Sequence, residues 1–502
     1  MNESRGLSRR QAIAAAGMLP VAVAAAQVIS QPVDAQTPPP MEAPPVRVTP
    51  ALASYIAGIR TAQIPEEHRD LARQHSLDTL ASIVACRDLE PSVLARKYAA
   101  LQSGGVGKNA ATMLGTKQKA SLSDAVFASA MTGHGAEIND FIPSAFVQPG
   151  PSIIAAALGL AETRRNISGD AMVRAVIAGY EMAGRVPKAV GVNNLRNAGI
   201  ANHGVGPVFG TAATAASLIG IPENRISDLL TYCAQQASGS WQWLMDVEHI
   251  EKAFVFAGMG ARNGLQAALM VEAGFRGVRD SFDNADGWLR AGAFKAGDAK
   301  PGYLVEQLGV RTELKETAFK RYPVGGPTQP AIHGMYELLP KIDRNNVTGV
   351  RVEMPGRWQA FRDAAMPALN LRYTLSLMLI DGKLDFVSAQ SLQRMATDAK
   401  VKALMEKVEI AHDPAQEAPA GQPRTESARL LVTEASGKRH EIYVPYVVGF
   451  PSHPMSRAEV EAKALELMSP SLGSARAKQV VDRVGALETM RNASELVSLI
   501  GR

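Results

Sequence analysis

Lys252 stands in the run Asp246-Val-Glu-His-Ile-Glu-Lys252-Ala-Phe-Val-Phe-Ala-Gly258-Met-Gly260-Ala-Arg262-Asn-Gly264, just ahead of a segment poor in side-chain bulk. Gly258, Gly260, Ala261 and Gly264 would let neighbouring helices approach closely, a setting that can hold an ammonium group inside a helical core. The alternative is a solvated lysine at a helix start, because lysines are mostly exposed. His203, in Ala201-Asn202-His203-Gly204-Val205-Gly206-Pro207, comes immediately before a small-residue helix running from Thr211 to Ile219. The macrodipole and free N–H groups of a helix start favour a carboxylate there, although the same place suits a capping histidine. A third group is His134, Glu137, Asn139 and Asp140, at the end of a helix over 121–136 that Ser121 can cap. Lys320 and Arg321 add two adjacent cations. An imidazole, carboxylates and cations are the parts needed to hold a carboxylate and move a proton beside it.

The elements that would position these groups are mostly helices. Leu71, Leu77, Leu80, Ile83 and Val84 recur at helical spacing within 51–100, and Glu181 and Arg185, four apart, would pair on one helix face. Near Leu314 the text changes to mixed elements. Val347, Val350 and Val352 predict a strand in 346–354, and 428–433 with 439–445 predict a hairpin turning at Ala435-Ser-Gly-Lys438. Ser456 and Glu459 form a capping box that opens helices running to Ile500.

Composition agrees with a large globular enzyme or binder. At 502 residues, 46% hydrophobic and 20% charged, the chain is long enough for two domains and is neither disordered nor fibrous. The net charge of +5 falls only to +4 without residues 1–35, where Arg5, Arg9 and Arg10 oppose Glu3 and Asp34. No Lys/Arg block lies beyond the N-terminus, which argues against nucleic acid as a partner. Cys86 and Cys233 are too far apart in sequence for a CxxC metal or redox site.

The run from Lys252 to Gly264, continued by GLQAALMVEAGFRGVRDSFDNADGWL, resembles the most recognisable block of the MmgE/PrpD family, which contains 2-methylcitrate dehydratases and cis-aconitate decarboxylases. Leu77-Asp78-Thr79-Leu80, Ala178-Gly179-Tyr180-Glu181 and Ala318-Phe319-Lys320-Arg321-Tyr322-Pro323 resemble further family motifs. The resemblance covers about 50–502. It implies a mainly α fold: a discontinuous all-helical domain (50–314 with the returning helices 455–502) and an inserted α+β lid domain (315–454). The site would lie between them. Glu137 and Asp140 fall on the family's acidic positions, His203 on a pocket histidine, and Tyr373, in Leu371-Arg-Tyr373-Thr-Leu375, on a phenol facing the pocket. Glu137, Asp140, His203, Lys252 and Tyr373 are therefore the expected catalytic residues, and Gln148, Lys320, Arg321 and Gln329 the expected substrate-binding ones. Gln148 and Gln329 stand where the family carries histidines. An amide exchanges no proton near neutral pH, so Gln148 can position a substrate but cannot be a general acid or base. The resemblance also implies a homodimer with no metal or cofactor.

At the N-terminus, Ser8-Arg9-Arg10-Gln11 precedes an apolar run from Ala12 to Ile29, then Val33-Asp34-Ala35 and Pro/Gln-rich residues. That order resembles a twin-arginine export signal over 1–35 with a Pro-rich linker over 36–49. A protein carried by the twin-arginine machinery works in the periplasm. Together these features predict a lyase for a small polycarboxylate, working by proton abstraction next to a carboxylate, with loss of water as the leading outcome. Decarboxylation, epimerisation and non-catalytic binding of an organic acid are the alternatives.

Overall fold

The computed structural model describes residues 47–501, apart from 105–106, 108, 285–286, 291–293, 295–298 and 420–425. The proposed export signal and nearly all of the linker lie outside the described residues. The chain is mostly helical. Helices α1 (Val48–Gly58), α2 (Glu66–Cys86), α3 (Leu122–Gly133), α4 (Gly150–Thr163), α5 (Gly169–Val190), α6 (Asn202–Ile219) and α7 (Glu223–Gln236) build the first part. A short antiparallel pair, β1 (Ala110–Thr112) and β2 (Lys119–Ser121), leads into α3. Ser121 caps α3 by accepting from the Asp124 amide at 3.3 Å.

The segment after α7 is irregular where it carries chemistry. Residues Trp241–Met245 form a 3₁₀ turn and Ile250–Ala253 one helical turn. Phe254–Gly258 then widens into a π turn before α8 (Met259–Glu272). A π turn inserts a residue into a helix and is common at functional sites. Lys252 thus sits inside this first helical turn, and its amide donates to Asp246 Oδ2 at 2.7 Å.

Small residues bring α8 against α6. A Cβ built on Gly264 would lie 2.3 Å from the Val208 carbonyl oxygen, and one on Gly260 2.4 Å from Pro207 Cβ. In an exposed helix, Gly→Ala would gain up to about 1 kcal/mol from propensity. Here the backbone contact decides the sign. Gly264→Ala is expected to destabilise by about 1–3 kcal/mol, read as a lower denaturant midpoint. An unchanged midpoint would mean that α6 and α8 can separate without cost.

Residues 47–501 belong to one compact unit, yet the apolar interior has two main parts. One core gathers Val48–Leu314 with Ala464–Ile500. The other gathers Val324–Val432. In the second, α9 (Gln329–Leu338) and α10 (Leu371–Asp381) accompany a four-stranded sheet. Its strands are β3 (Val347–Met354), β4 (Val408–His412), β5 (Ala428–Glu434) and β6 (Arg439–Val444), in the order β4-β3-β5-β6. Only β3 and β4 are parallel; Val352 faces Ile410 on one side and Leu430 on the other. Gly334 lets α9 approach this sheet, its Cβ position being 3.0 Å from Leu430 Cδ1. The C-terminal helices α11 (Arg457–Leu472), α12 (Ser474–Gly485) and α13 (Glu495–Ile500) supply the last residues of the first core. The capping box at Ser456 and Glu459 forms as the sequence predicts. Glu181 and Arg185 pair at 2.7 Å, fully buried, and Arg185 also donates to the carbonyls of Tyr303 and Glu306, each at 2.9 Å.

Candidate active site

Glu137 lies between two lysines in the interior. Lys320 Nζ is 2.9 Å from Oε2, Lys252 Nζ donates to Oε1, and all three side chains are less than a tenth exposed. The three come from distant parts of the chain, and a backbone bridge brings two of them together. Phe141 and Ala318 exchange hydrogen bonds of 3.0 and 2.6 Å, which fixes Lys320 beside the loop carrying Glu137. Burial alone would raise the pKa of Glu137. The two ammonium groups outweigh it and hold the carboxyl well below the usual range. With both lysines charged and Glu137 ionised, the group carries one net positive charge.

His203 stands beside this group in the first turn of α6, not ahead of the helix as the sequence suggests. Its ring stacks on Phe256, centroids 3.8 Å apart, and Trp243 meets it edge-on at 5.1 Å. Nδ1 lies 2.8 Å from Gln148 Oε1. In that amide orientation Nδ1 carries the hydrogen and Nε2 offers a lone pair. Burial, followed by the charge of Lys252, lowers the His203 pKa well below its usual value, so the ring is neutral and can accept a proton. Gln148 therefore keeps a role, as the residue that orients the His203 ring. Gln148→Leu is expected to lower turnover about tenfold, the order of one buried hydrogen bond, with KM changed little. A rise in KM at constant kcat would instead place Gln148 on the substrate.

Two further histidines lie close by. His134 Nδ1 is 2.6 Å from Asn139 Oδ1, and His249 Nε2 is 3.0 Å from the His134 carbonyl oxygen. Burial and neighbouring cationic charge depress both pKa values, that of His249 to about 4. His249 has φ +64°, a left-handed backbone that a non-glycine residue rarely adopts. His134, Glu137 and His249 could bring three ligand atoms within 4.8 Å of one another. They do not fit a divalent cation, because both Glu137 oxygens already face ammonium groups that would repel it.

The other expected site residues lie elsewhere. Asp140 accepts from the Tyr180 hydroxyl and from the Gly150 amide at 3.2 Å, and His75 Nδ1 is 3.3 Å away. It braces the loop rather than facing Glu137. Gln329 bonds the backbone of Tyr322 and Val324 through both ends of its amide, at 2.8–3.1 Å. Arg321 turns to Glu466 at 3.5 Å and is about a third exposed. Tyr373 departs furthest from expectation. It is fully buried in the second core, and its hydroxyl donates to the Ser388 carbonyl at 2.8 Å; burial pushes its pKa to about 12. An extended hydrophobic neighbourhood captured the phenol that the resemblance assigns to the pocket.

Sequence reasoning gave no role to His249 and none to Phe256. Their signal was proximity: both lie within four residues of Lys252. Two clefts, of about 410 Å³ beside Trp358 and His412 and about 500 Å³ beside Tyr55 and Leu308, include none of the site residues.

A buried cationic pair around a carboxylate, with a neutral histidine alongside, is an arrangement able to hold an anionic group and to take up a proton beside it. The chain matches the family models for the MmgE/PrpD N-terminal domain over residues 50–298 and the MmgE/PrpD C-terminal domain over 322–487. It belongs to the MmgE/PrpD family. Curated relatives include a cis-aconitate decarboxylase-like protein of Aspergillus oryzae, 26% identical over 384 residues, 70% of this chain and 75% of the relative. A cis-aconitate decarboxylase of Aspergillus terreus is 23% identical over 483 residues, 90% of this chain and 96% of the relative. Both the family and these relatives support a lyase-type enzyme.

Proposed function

We propose that the protein is a lyase that removes a proton from a carbon next to a carboxylate of a small organic acid. The observation that carries this reading is the neutral His203 beside the Lys252–Glu137–Lys320 group. The substrate carboxylate would take its place near the two ammonium groups, which stabilise the enolate-like charge that builds as the proton leaves. His203 Nε2 accepts that proton. The C–O bond on the neighbouring carbon then breaks as the carbon–carbon double bond forms, and His203 passes the proton to the departing hydroxide, which leaves as water. No cofactor enters this sequence.

Loss of carbon dioxide is the second reading, favoured by the decarboxylase names of the relatives. There the bond to the departing carboxylate breaks, the electron pair moves toward the carboxylate held by the lysines, and Lys252 protonates the carbon. We further propose that the second core is a lid that opens to admit substrate, since the charged group is buried. The Arg9-Arg10 motif supports export to the periplasm, and the family resemblance supports a homodimer.

The test is NMR of the purified protein in deuterated water with a panel of hydroxy, unsaturated and saturated di- and tricarboxylates. Deuterium at the carbon next to a carboxylate, with an alkene product, is the expected result; carbon dioxide release identifies the second reading. No exchange and no product across the panel would overturn the lyase assignment in favour of an organic-acid binder.

A further inference from the structure

The site next to Lys252 is walled by aromatic rings. Trp243 meets Phe256 at 4.7 Å, edge to face, and stands 5.6 Å from Trp241; Lys252 Nζ lies 5.2 Å from the Trp243 ring and 5.4 Å from Phe256. Trp241 and Phe146 approach His203 at 5.9 and 6.5 Å. This wall is not sealed core. Phe146 is 39% exposed, and Leu244 and Met245, on the same 3₁₀ turn as the two tryptophans, are 52% and 78% exposed. An apolar surface therefore runs from the reacting groups outward. Polar groups interrupt it: Trp243 Nε1 is buried without a hydrogen-bond partner, and the Arg196 guanidinium lies 5.2 Å over the Trp241 ring.

The charges point the same way. The Lys252–Glu137–Lys320 group has one net positive charge, and the flanking histidines are neutral. The amide of Gln148, which carries no charge, faces His203. A tricarboxylate would leave most of its charge uncompensated in a desolvated site, which is costly. An apolar substituent would gain from the same walls.

We propose that the substrate is a carboxylic acid with at most two carboxylates and an aryl or branched-alkyl body, the body lying against Trp243, Trp241 and Phe146. This specificity rests on the lyase reading for the position of the reacting carboxylate. Binding and turnover separate the two claims.

Isothermal titration of the full-length protein with 2-phenylsuccinate, citrate and cis-aconitate tests the specificity, and deuterium exchange on the same three acids tests the chemistry. The expected result is affinity for 2-phenylsuccinate at least about tenfold above either tricarboxylate, roughly 1.4 kcal/mol. Trp243→Ala should remove that preference while changing citrate affinity little. Phe146→Ala, at a half-exposed position, should reduce it with less risk to folding. Equal or tighter binding of citrate or cis-aconitate would overturn the specificity, as would no measurable binding of 2-phenylsuccinate. A preference for 2-phenylsuccinate that survives both substitutions would overturn the placement of the aryl group. Retained preference with no exchange on any of the three would support the specificity while counting against the lyase chemistry.

Discussion

Lys252→Ala is expected to abolish turnover, by about 10²-fold or more, and to weaken substrate binding at the same time. The magnitude follows from removing one preorganised cation from a buried site, where each such group is worth roughly 3–4 kcal/mol in the transition state. The variant also leaves Glu137 with Lys320 as its one remaining ammonium partner, so the net charge of the group falls from one to zero. An anionic substrate then meets no excess positive charge, which is why KM should rise with the fall in kcat. His203→Asn separates the two effects. An amide at this position can hold a hydrogen bond but cannot carry a proton, so deuterium exchange should fall about 10²–10⁴-fold while substrate affinity stays close to that of the wild type. Steady-state kinetics and calorimetry on the two variants, with the substrate found by NMR, read both halves. Intact turnover in Lys252→Ala would remove the lysine pair from the mechanism; intact exchange in His203→Asn would move the base to His134 or His249.

The small-residue continuation of Lys252 allowed a buried lysine without requiring one, and its place in the site came from the family resemblance; once internal, a lysine needs a partner. Glu137 was legible as an acidic position, but not as that partner, because 115 residues separate the two and nothing local relates them. The bridge between Phe141 and Ala318, which brings Lys320 to the same carboxylate, is likewise a backbone event without a side-chain signature. Tyr373 shows the opposite failure. A motif position predicted an accessible phenol, and tertiary packing placed that ring in the second core with its hydroxyl on Ser388. Strands β3, β5 and β6 and the capping box were read with little error, since alternation and capping chemistry act over a few residues, whereas the short strands β1, β2 and β4 went unread.

In the family-like motif Leu77-Asp78-Thr79-Leu80, Asp78 is a fully buried carboxylate whose Oδ1 meets Lys463 of α11 at 2.5 Å. Lys463 also donates to the Ile138 carbonyl at 2.7 Å, on the loop that carries Glu137. The C-terminal helices are thus tied to the loop carrying Glu137 through one buried ammonium group. Lys463→Met is expected to destabilise the protein by about 3–5 kcal/mol, because it leaves a buried carboxylate unpaired. The pH dependence gives the sign. Burial already raises the Asp78 pKa, against the opposing charge of Lys463, with nearby Asp140 raising it further. Without Lys463 it must rise more. A carboxyl whose folded pKa exceeds its unfolded value costs stability above that folded pKa, and the cost fades as pH falls and the proton binds. The loss in Lys463→Met should therefore be largest near neutral pH and shrink toward the ordinary carboxylate range, measured as the difference in denaturant midpoint from wild type at each pH. Adding Asp78→Asn to Lys463→Met should restore part of the stability at neutral pH and flatten that dependence. If the double variant were no more stable than Lys463→Met at pH 7, the unpaired charge would not be the cause, and the lost contact with Ile138 would carry the effect.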